Sequence, residues 1–370
     1  MKNQILLLCI AVAIGLFHSM LGTQAFAQRV TTDKIADLKA SRYLKKAMED
    51  HHIPGASLLV LRHGKIISSQ NYGKANLENS VAVTSRSAFQ ICSITKPFTA
   101  IAVMLLVEDG KISIDDAIIN YLPTLSKAGE NVTIRHLLSH TSGIRDYDER
   151  PSSEVDKCSE YTLPDLEKWF KSFYLITQPG EKWSYENTDY NILGRLIEKV
   201  SGRTYGEFLQ ERIFGPLKMS DTKMLSYDEV TDRRVQGYIY QSGKFMNGGN
   251  IKPELEFASG GLVSTVLDLA KLDAALFTES LLKRASLNEM WTNARLNDGS
   301  IVKSYGLGFG LSDYKGKKRV GHNGGCPPGF STALQRFSEG GISVILLTNA
   351  EQKAGFIGDL SNEIAYFYLK

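Results

Sequence analysis

The chain has 370 residues, 43% of them hydrophobic, and its 43 basic residues nearly balance 40 acidic ones for a formal net charge of +3. That length can bury a sizeable core in one large domain or two closely packed ones. The small net charge, without a Lys/Arg block or a basic stripe interleaved with aromatic residues, excludes a nucleic-acid-binding protein.

The first 27 residues have the pattern of a secretory signal peptide. One lysine precedes an apolar run, and Ala25-Phe26-Ala27 supplies the small-x-small cleavage pattern. We expect cleavage after Ala27 and export to the periplasm or the medium. An uncut membrane anchor is the alternative, disfavoured because the apolar run is short for a membrane span. No later segment is apolar enough to cross a bilayer.

The segments after the signal peptide begin with a helix and a hairpin. We predict a helix over Asp33–Asp50, and then two alternating segments that meet at His63-Gly64 and indicate a β-hairpin. A helical stripe of apolar residues starts at Phe98 and closes at Gly110. Sheet and helix formers therefore share the amino-terminal part of the chain.

Helical patterns and loops dominate residues 111–250, including a helix that ends before Gly202. The tail indicates strands over "YGLGFGL", "KRVGHNGG", "FSTALQRF" and "ISVILLTN", and then a closing helix over "GDLSNEIAYFYLK". Sheet-forming segments thus lie at both ends of the chain. We predict a sheet domain from residues 28–110 and 255–370, and a helical subdomain from residues 111–254.

Five serines have a lysine three residues later: Ser93, Ser220, Ser280, Ser300 and Ser312. Residues three apart on a helix share a face, so a lysine amine can reach the serine hydroxyl one turn earlier. We favour Ser93 because it alone begins a long apolar helix, which places its hydroxyl at the positive end of the helix dipole. Its base would be Lys96, provided that burial and nearby positive charge favour the neutral amine.

Two further motifs occur once each, Tyr185-Glu186-Asn187 and His322-Asn323-Gly324. Together with Ser93-Ile94-Thr95-Lys96, they stand in the order of the three motifs of the class C β-lactamase and D-alanyl-D-alanine carboxypeptidase family of serine hydrolases, which the chain resembles. The segments "HLLSHTSGI", "PGEKWSYENTDYNILG", "FGPLKMSDT" and "ASGGLVST" extend the likeness over nearly all of the chain after the signal peptide.

The resemblance implies an α/β fold, with an antiparallel sheet flanked by helices, a helical subdomain, and the active site in the cleft between them. Ser93 would be acylated by a carbonyl substrate, and Lys96 and Tyr185 would pass the proton from the hydroxyl to the leaving group. Asn187 would hold the substrate, and the backbone N–H groups of Ser93 and Gly325 would form the oxyanion hole. We predict no metal ion and no cofactor.

The third motif departs from the family pattern. His322 stands where efficient β-lactamases carry lysine, and imidazole attracts a substrate carboxylate less than a permanent ammonium does, which disfavours a strong β-lactamase. If protonated His322 holds a carboxylate, activity weakens as pH rises past an imidazole pKa of about 6.5. Asn323, a possible hydrogen-bond donor, and Gly325 replace hydroxyl residues common in carboxypeptidases, so recognition of a terminal carboxylate is doubtful.

Three cysteines, Cys92, Cys158 and Cys326, remain after the signal peptide, which is too few for a disulfide framework. The motif assignments bring Cys92 and Cys326 near one another, yet pairing cannot be deduced without their geometry. We expect them to be unpaired.

These observations indicate an exported serine hydrolase that cleaves an amide or ester bond through an acyl-enzyme. The leading interpretation is a D-Ala-D-Ala carboxypeptidase-like enzyme or a D-amino-acid peptidase acting on peptidoglycan-like peptides. A carboxylesterase or a weak β-lactamase would use the same residues. The non-enzymatic alternative is a sensor that penicillins or muropeptides acylate without turnover.

Overall fold

The structure, a computed structural model, describes residues 32–125, 129–146, 173–248, 253–326, 329–353 and 355–369. The expected signal peptide and Cys158 lie outside these residues. The strands are β1 Gly55–Arg62, β2 Lys65–Asn76, β3 Val81–Ala82, β4 Phe89–Gln90, β5 Lys223–Met224, β6 Tyr238–Gln241, β7 Lys244–Asn247, β8 Leu262–Ser264, β9 Gly310–Tyr314, β10 Lys317–Cys326, β11 Phe330–Phe337 and β12 Ile342–Thr348.

The helices are α1 at 32–50, α2 Thr95–Glu108, α3 Ile134–Leu138, α4 Asn187–Ser201, α5 Tyr205–Leu209, α6 Gly215–Leu217, α7 Pro253–Gly260, α8 Val266–Ala275, α9 Arg284–Met290 and α10 Phe356–Leu369. Single turns of 3₁₀ helix occur at Cys92–Ile94 and Ile118–Asn120, and a π-helical turn occurs at Gln210–Phe214. Among the described residues, no helix is both long enough and apolar enough to span a membrane.

A seven-stranded antiparallel sheet forms the centre of the fold, in the order β3-β2-β1-β12-β11-β10-β9. Its middle joins the two ends of the chain, because β1 pairs with β12 in a register that sets Leu59 opposite Ile345. Smaller sheets have the orders β4-β8-β5 and β6-β7. The α/β fold with an antiparallel sheet and flanking helices is therefore confirmed.

Both faces of the sheet are covered, and alternate residues of β1 show how. Leu58 and Val60 pack in a core that includes residues of α1 and α10. Leu59 and Leu61, which point to the opposite face, join a larger core that includes the apolar residues of α2 from Phe98 to Leu106. Because α2 is surrounded by that larger core, the residues at its amino end have fixed positions.

Local sequence patterns predicted most of these elements correctly. His63 and Gly64 both have positive φ, 49° and 72°, which is the turn that a two-residue β-hairpin needs. Helix α4 ends at Gly202 in the left-handed conformation, as its pattern indicated. The division into domains at residues 110 and 254 stays a prediction.

Two predictions about strands were wrong. The segment "YGLGFGL" is mostly bends, and β9 begins only at Gly310. Gly308 has φ +80°, and a Cβ there would lie 2.3 Å from Ala100 of α2, so close packing rather than strand alternation sets this backbone. Within residues 111–250, where we predicted mainly helices and loops, β6 and β7 form a hairpin.

Candidate active site

Ser93 lies in the 3₁₀ turn Cys92–Ile94 that leads directly into α2. This turn is held against the neighbouring strands β11 and β10. Thr332 donates a hydrogen bond from Oγ1 to the carbonyl of Ile91 at 2.9 Å. A Cβ added to Gly324 would lie 2.4 Å from the same carbonyl oxygen, so only glycine permits the approach.

The turn is also covalently tied to the end of β10. Cys92 and Cys326 form a disulfide bond, with their Cα atoms 5.6 Å apart across 234 residues of sequence. The expectation that they are unpaired was wrong, because the sequence alone does not show how closely the two cysteines approach. Cys92 also has φ +52°, a rare value for a residue other than glycine. The residue before Ser93 is therefore fixed by a covalent bond and by close packing.

Lys96 is fully buried, and its amine lies among three polar neighbours. Nζ is 3.2 Å from Ser93 Oγ, 2.7 Å from Asn187 Oδ1 and 3.1 Å from the carbonyl oxygen of Ser259. The last two atoms can only accept hydrogen bonds, whereas the serine hydroxyl can also donate one. A neutral Lys96 amine that donates to both acceptors therefore directs its lone pair at the Ser93 hydroxyl.

Asn187 begins helix α4, and Asp146 holds that end of the helix. The Asp146 carboxylate accepts hydrogen bonds from the backbone N–H groups of Asn187 at 2.9 Å and Thr188 at 3.2 Å, and from the Thr188 hydroxyl. These are N–H groups that the first turn of a helix leaves without intrahelical partners. Sequence reasoning missed Asp146, because its distance of 41 residues from Asn187 leaves no local capping pattern.

Tyr185 covers the buried amine on the cleft side. Lys96 Nζ lies 4.6 Å from the centre of its ring, and the phenol hydrogen-bonds to Ser93. The side chain is 36% exposed, yet the atoms around it remove enough water to raise the pKa of Tyr185. The hydrogen bond to Ser93 opposes that shift. Tyr185 is therefore a neutral phenol near neutral pH, able to donate its proton.

His322 projects from β10 into the same cleft, but both of its ring nitrogens are occupied. Nδ1 lies 2.6 Å from the backbone oxygen of Asn323, which can only accept, so Nδ1 carries the proton. Nε2, 2.9 Å from the Tyr305 hydroxyl, then accepts a hydrogen bond from it. The imidazole is thereby held in its neutral form.

Burial, together with a smaller effect of the nearby charge of Lys96, lowers the pKa of His322 to about 3. The bond to the Asn323 carbonyl opposes this without reversing it. The structure thus argues against a protonated His322 near neutral pH, and its role as a carboxylate partner stays a prediction. His322 still lines the cleft, as a neutral group.

Asn323 and Gly325 follow His322 where the edge of β10 is open. Strand β9 pairs with β10 only as far as Gly321, so within the described structure no strand covers the edge beyond it. Gly325 faces open space. Asn323 alternates to the opposite face from His322, where its Oδ1 accepts a hydrogen bond from Gln335 Nε2 at 2.5 Å.

A buried polar cluster behind Tyr185 also escaped sequence reasoning. The His140 ring lies 4.5 Å from the Tyr185 ring, and its Nδ1 receives the backbone N–H of Glu186. Asp189 lies 3.2 Å from the same nitrogen, and its other oxygen accepts from Ser142. Burial lowers the pKa of His140 and raises that of Asp189. This cluster supports the backbone of the second motif.

The remaining serines of the Ser-x-x-Lys pattern do not have this environment. Ser220, Ser280, Ser300 and Ser312 are all exposed. Among the five, each within the described part of the chain, Ser93 is the one with its lysine amine at hydrogen-bonding distance. A cleft of about 400 Å³ opens at Ser93, with Trp183, Tyr185 and Tyr305 on one wall and the β10 edge on the other.

Residues 40–364 match the family described as Beta-lactamase. The chain belongs to the beta-lactamase family of serine hydrolases. It is 31% identical over 323 residues to penicillin-binding protein 4* of Bacillus subtilis (strain 168), covering 82% of this chain and 70% of that protein. The order of the three motifs had indicated this family, and the membership is confirmed.

Two solved structures are similar over most of their length. A D-stereospecific amidohydrolase from Streptomyces sp. has 27% identity and a TM-score of 0.71, covering 86% of this chain and 94% of its own. A D-amino acid amidase from Ochrobactrum anthropi SV3 has 25% identity and a TM-score of 0.76, covering 89% and 98%. This member of the beta-lactamase family thus has structural relatives that are amide hydrolases.

Proposed function

We propose that this protein is an exported serine hydrolase that cleaves amide bonds of peptides or amides containing D-amino acids, through an acyl-enzyme at Ser93. The observation that carries the proposal is the buried Lys96 amine, which contacts the Ser93 hydroxyl while two obligate acceptors fix its remaining hydrogens. The D-stereospecific amidohydrolase and the D-amino acid amidase support the choice of substrate class.

In the acylation step, Lys96 Nζ takes the proton of the Ser93 hydroxyl while Oγ attacks the substrate carbonyl. The carbonyl oxygen becomes an anion, and the backbone N–H groups of Ser93 and Gly325 stabilise it. Tyr185 then donates its phenolic proton to the departing amine and recovers a proton from Lys96. The C–N bond breaks, and the acyl group remains on Ser93.

Deacylation reverses these proton transfers with water in place of the amine. Water attacks the ester carbonyl, its proton passes to the Lys96–Tyr185 pair, and the Ser93 oxygen leaves with a proton. Asn187 holds the Lys96 amine through Oδ1, and we propose that it also contacts the amide of the bound substrate. His322 and Asn323 shape the cleft beside the leaving group as neutral residues.

The neutrality of His322 also separates the candidate substrates. A β-lactam or a D-Ala-D-Ala peptide presents a carboxylate close to the scissile bond, where the third motif offers no cation. Amides and peptides without that adjacent charge are therefore better suited to the cleft. Esters share the acylation chemistry and would be cleaved as alternative substrates.

The division of the chain follows the same proposal. The seven-stranded sheet takes its strands from residues 55–82 and 310–348, which supports a sheet domain of residues 28–110 and 255–370. Residues 111–254 would form the helical subdomain, and residues 1–27 would direct export and be removed.

Two measurements test the function. Ser93→Ala should abolish labelling by a fluorescent fluorophosphonate, whereas Ser280→Ala, a matched exposed serine with a lysine three residues later, should be labelled like the parent. Labelling of the Ser93→Ala protein at the parent rate would contradict the nucleophile assignment.

The purified protein should then be assayed with D- and L-aminoacyl amides, D-Ala-D-Ala peptides, nitrophenyl esters and a chromogenic cephalosporin. We expect the D-aminoacyl amides to be cleaved with many turnovers, ahead of the other amide substrates. Equal rates for both stereoisomers would contradict the substrate class. A single stoichiometric burst without turnover would instead indicate a sensor.

A further inference from the structure

The cleft contains an arginine that belongs to none of the three motifs. Arg319 of β10 is half-buried and lines the same cleft as Ser93. Its Nε donates to Ser312 Oγ at 2.7 Å, and its Nη1 donates to Gln335 Oε1 at 2.5 Å. Both partners are neutral, and among the described residues no carboxylate forms an ion pair with this guanidinium.

The surroundings hold the guanidinium in place. Gln335 is fully buried, and its Nε2 donates to Asn323 Oδ1, which leaves Oε1 directed at Arg319. Nη2 has no hydrogen-bond partner among the described residues and is open to solvent. It is therefore a charged donor that is oriented before any ligand arrives.

Two facing glycines lie beside it. Gly310 pairs with Gly321 across β9 and β10, and a Cβ on Gly310 would lie 3.6 Å from Nη2, at ordinary contact distance. A Cβ on Gly321 would lie 2.5 Å from the Gln335 oxygen that Arg319 contacts, so a larger residue there would displace that partner. Neither glycine places a side chain over the guanidinium, and both lie where the open edge of β10 begins.

The charge of the cleft favours an anion. Arg319 and Lys353 are its lining cations, and no described residue lining it is an aspartate or glutamate. Asp359 is close enough for its charge to act on Arg319 but forms no ion pair with it. Burial lowers the pKa of Arg319, yet an arginine remains charged throughout the working pH range.

The position of this cation relative to Ser93 determines where the anion would be. A substrate that adds to the free β10 edge as an antiparallel strand runs with its leaving group toward Gly321 when its scissile carbonyl is at Gly325. Gly321 and Gly325 are four positions apart on the strand, which is about 13 Å at 3.3 Å per residue. A single amino acid leaving group is too short to reach Arg319.

We propose that Arg319 binds a carboxylate at the end of the leaving group, about three extended residues beyond the bond that Ser93 cleaves. This makes the preferred substrate a peptide cut inside its chain, whose released fragment carries a free C-terminus. The inference rests on the proposed function, since it assigns the leaving-group side of the same acylation reaction. Arg319 is a specificity-determining residue and takes no part in proton transfer.

The test uses a pair of peptides in which one D-aminoacyl group is followed by the same three residues, ending in either a free carboxylate or a carboxamide. For the parent protein we expect kcat/KM for the free acid to exceed that for the carboxamide by about ten- to a hundredfold, the value of a charge-assisted hydrogen bond. In Arg319→Gln the ratio should fall to near one, and Arg319→Lys should keep part of it.

Lys353→Gln is the matched control, because it removes the other cation that lines the cleft. If it lowers the ratio as much as Arg319→Gln does, a diffuse positive potential is responsible and the site is wrong. A ratio near one in the parent, or an unchanged ratio in Arg319→Gln, would also overturn the proposal. Melting temperatures of all variants show whether each is folded.

A separate measurement distinguishes this inference from the proposed function. The released tripeptide, as acid and as amide, should be titrated onto the parent and onto Arg319→Gln by calorimetry, which requires no catalysis. Tighter binding of the acid only in the parent supports Arg319 even if no peptide is hydrolysed, an outcome that would reject the proposed function alone. Equal binding of both forms would reject the Arg319 site while leaving acylation at Ser93 unaffected.

Discussion

The packing of Gly324 against the nucleophile turn can be tested with a single methyl group. In Gly324→Ala the new Cβ would lie 2.3 Å from Thr332 Oγ1, 2.4 Å from the Ile91 carbonyl oxygen and 3.0 Å from Cys92 Cβ. The carbonyl oxygen belongs to the backbone and cannot rotate away. The strand and the turn must therefore separate, which moves Gly325 relative to Ser93.

The expected magnitude follows from that separation. Overpacking of a tight interior site costs about 1 to 3 kcal/mol of unfolding free energy, which in a protein of this size is a fall in melting temperature of roughly 1 to 4 °C. A displacement of about 1 Å between a nucleophile and its oxyanion hole can cost roughly a hundredfold in rate. We expect the rate of acylation to fall by a larger proportion than the stability does.

Gly325→Ala provides the control for stability, because a Cβ there meets nothing within 4 Å. The assay is the melting temperature of both variants and the rate of fluorophosphonate labelling of Gly324→Ala. Gly325→Ala should stay within about 1 °C of the parent, a value typical of a surface change. If Gly324→Ala melts like Gly325→Ala and is labelled at the parent rate, the close approach of β10 to the Ser93 turn is not what positions the site.

Three further outcomes are expected. Lys96→Met should slow labelling at Ser93 by about a hundred- to ten thousandfold, the range for loss of a general base, and a rate within threefold of the parent would show that another group takes the proton. Folding holds His322 neutral with a pKa of about 3, so its contribution to stability is complete above about pH 6.5 and is lost as pH falls toward 3. In His322→Gln the melting temperature should therefore fall less between pH 6.5 and 4 than in the parent, and parallel curves would contradict the shift. Thiol counting of denatured, unreduced protein lacking residues 1–27 should find one free thiol, since Cys92 and Cys326 are paired, and three would exclude the bond.

Elements with a strong local pattern were predictable, and their boundaries show why. The β1–β2 hairpin, helix α4 and strand β11 each carry their periodicity and their turn or cap within a few consecutive residues. The segment just before β9, which begins at Gly310, has no such local pattern. Its backbone is set by the contact of Gly308 with Ala100, more than two hundred residues away, and no local alternation of apolar residues records that contact.

The candidate site divides in the same way. Ser93 and Lys96 are one turn apart, so their proximity follows from helical geometry. The contacts that give Lys96 its lone-pair direction come from Asn187 and Ser259, 91 and 163 residues along the chain. Motif order in a known family marked Asn187 as a site residue, but as a contact for the substrate and not as a partner of Lys96. The second is a backbone carbonyl, which no sequence motif marks.

The charge of the third motif shows most clearly what sequence could not supply. His322 read alone is a titratable group near neutral pH, but its ring is buried and the Tyr305 hydroxyl occupies Nε2. The neutral state therefore depends on residues outside the motif, which only folding brings to strand β10. Permanent positive charge on β10 is supplied instead by Arg319, three residues before His322 and on the opposite face of the strand. Changing which carboxylate the cleft accepts would thus require changes at Arg319 or in the contacts that keep His322 neutral. The three motifs and the acylation chemistry would stay the same.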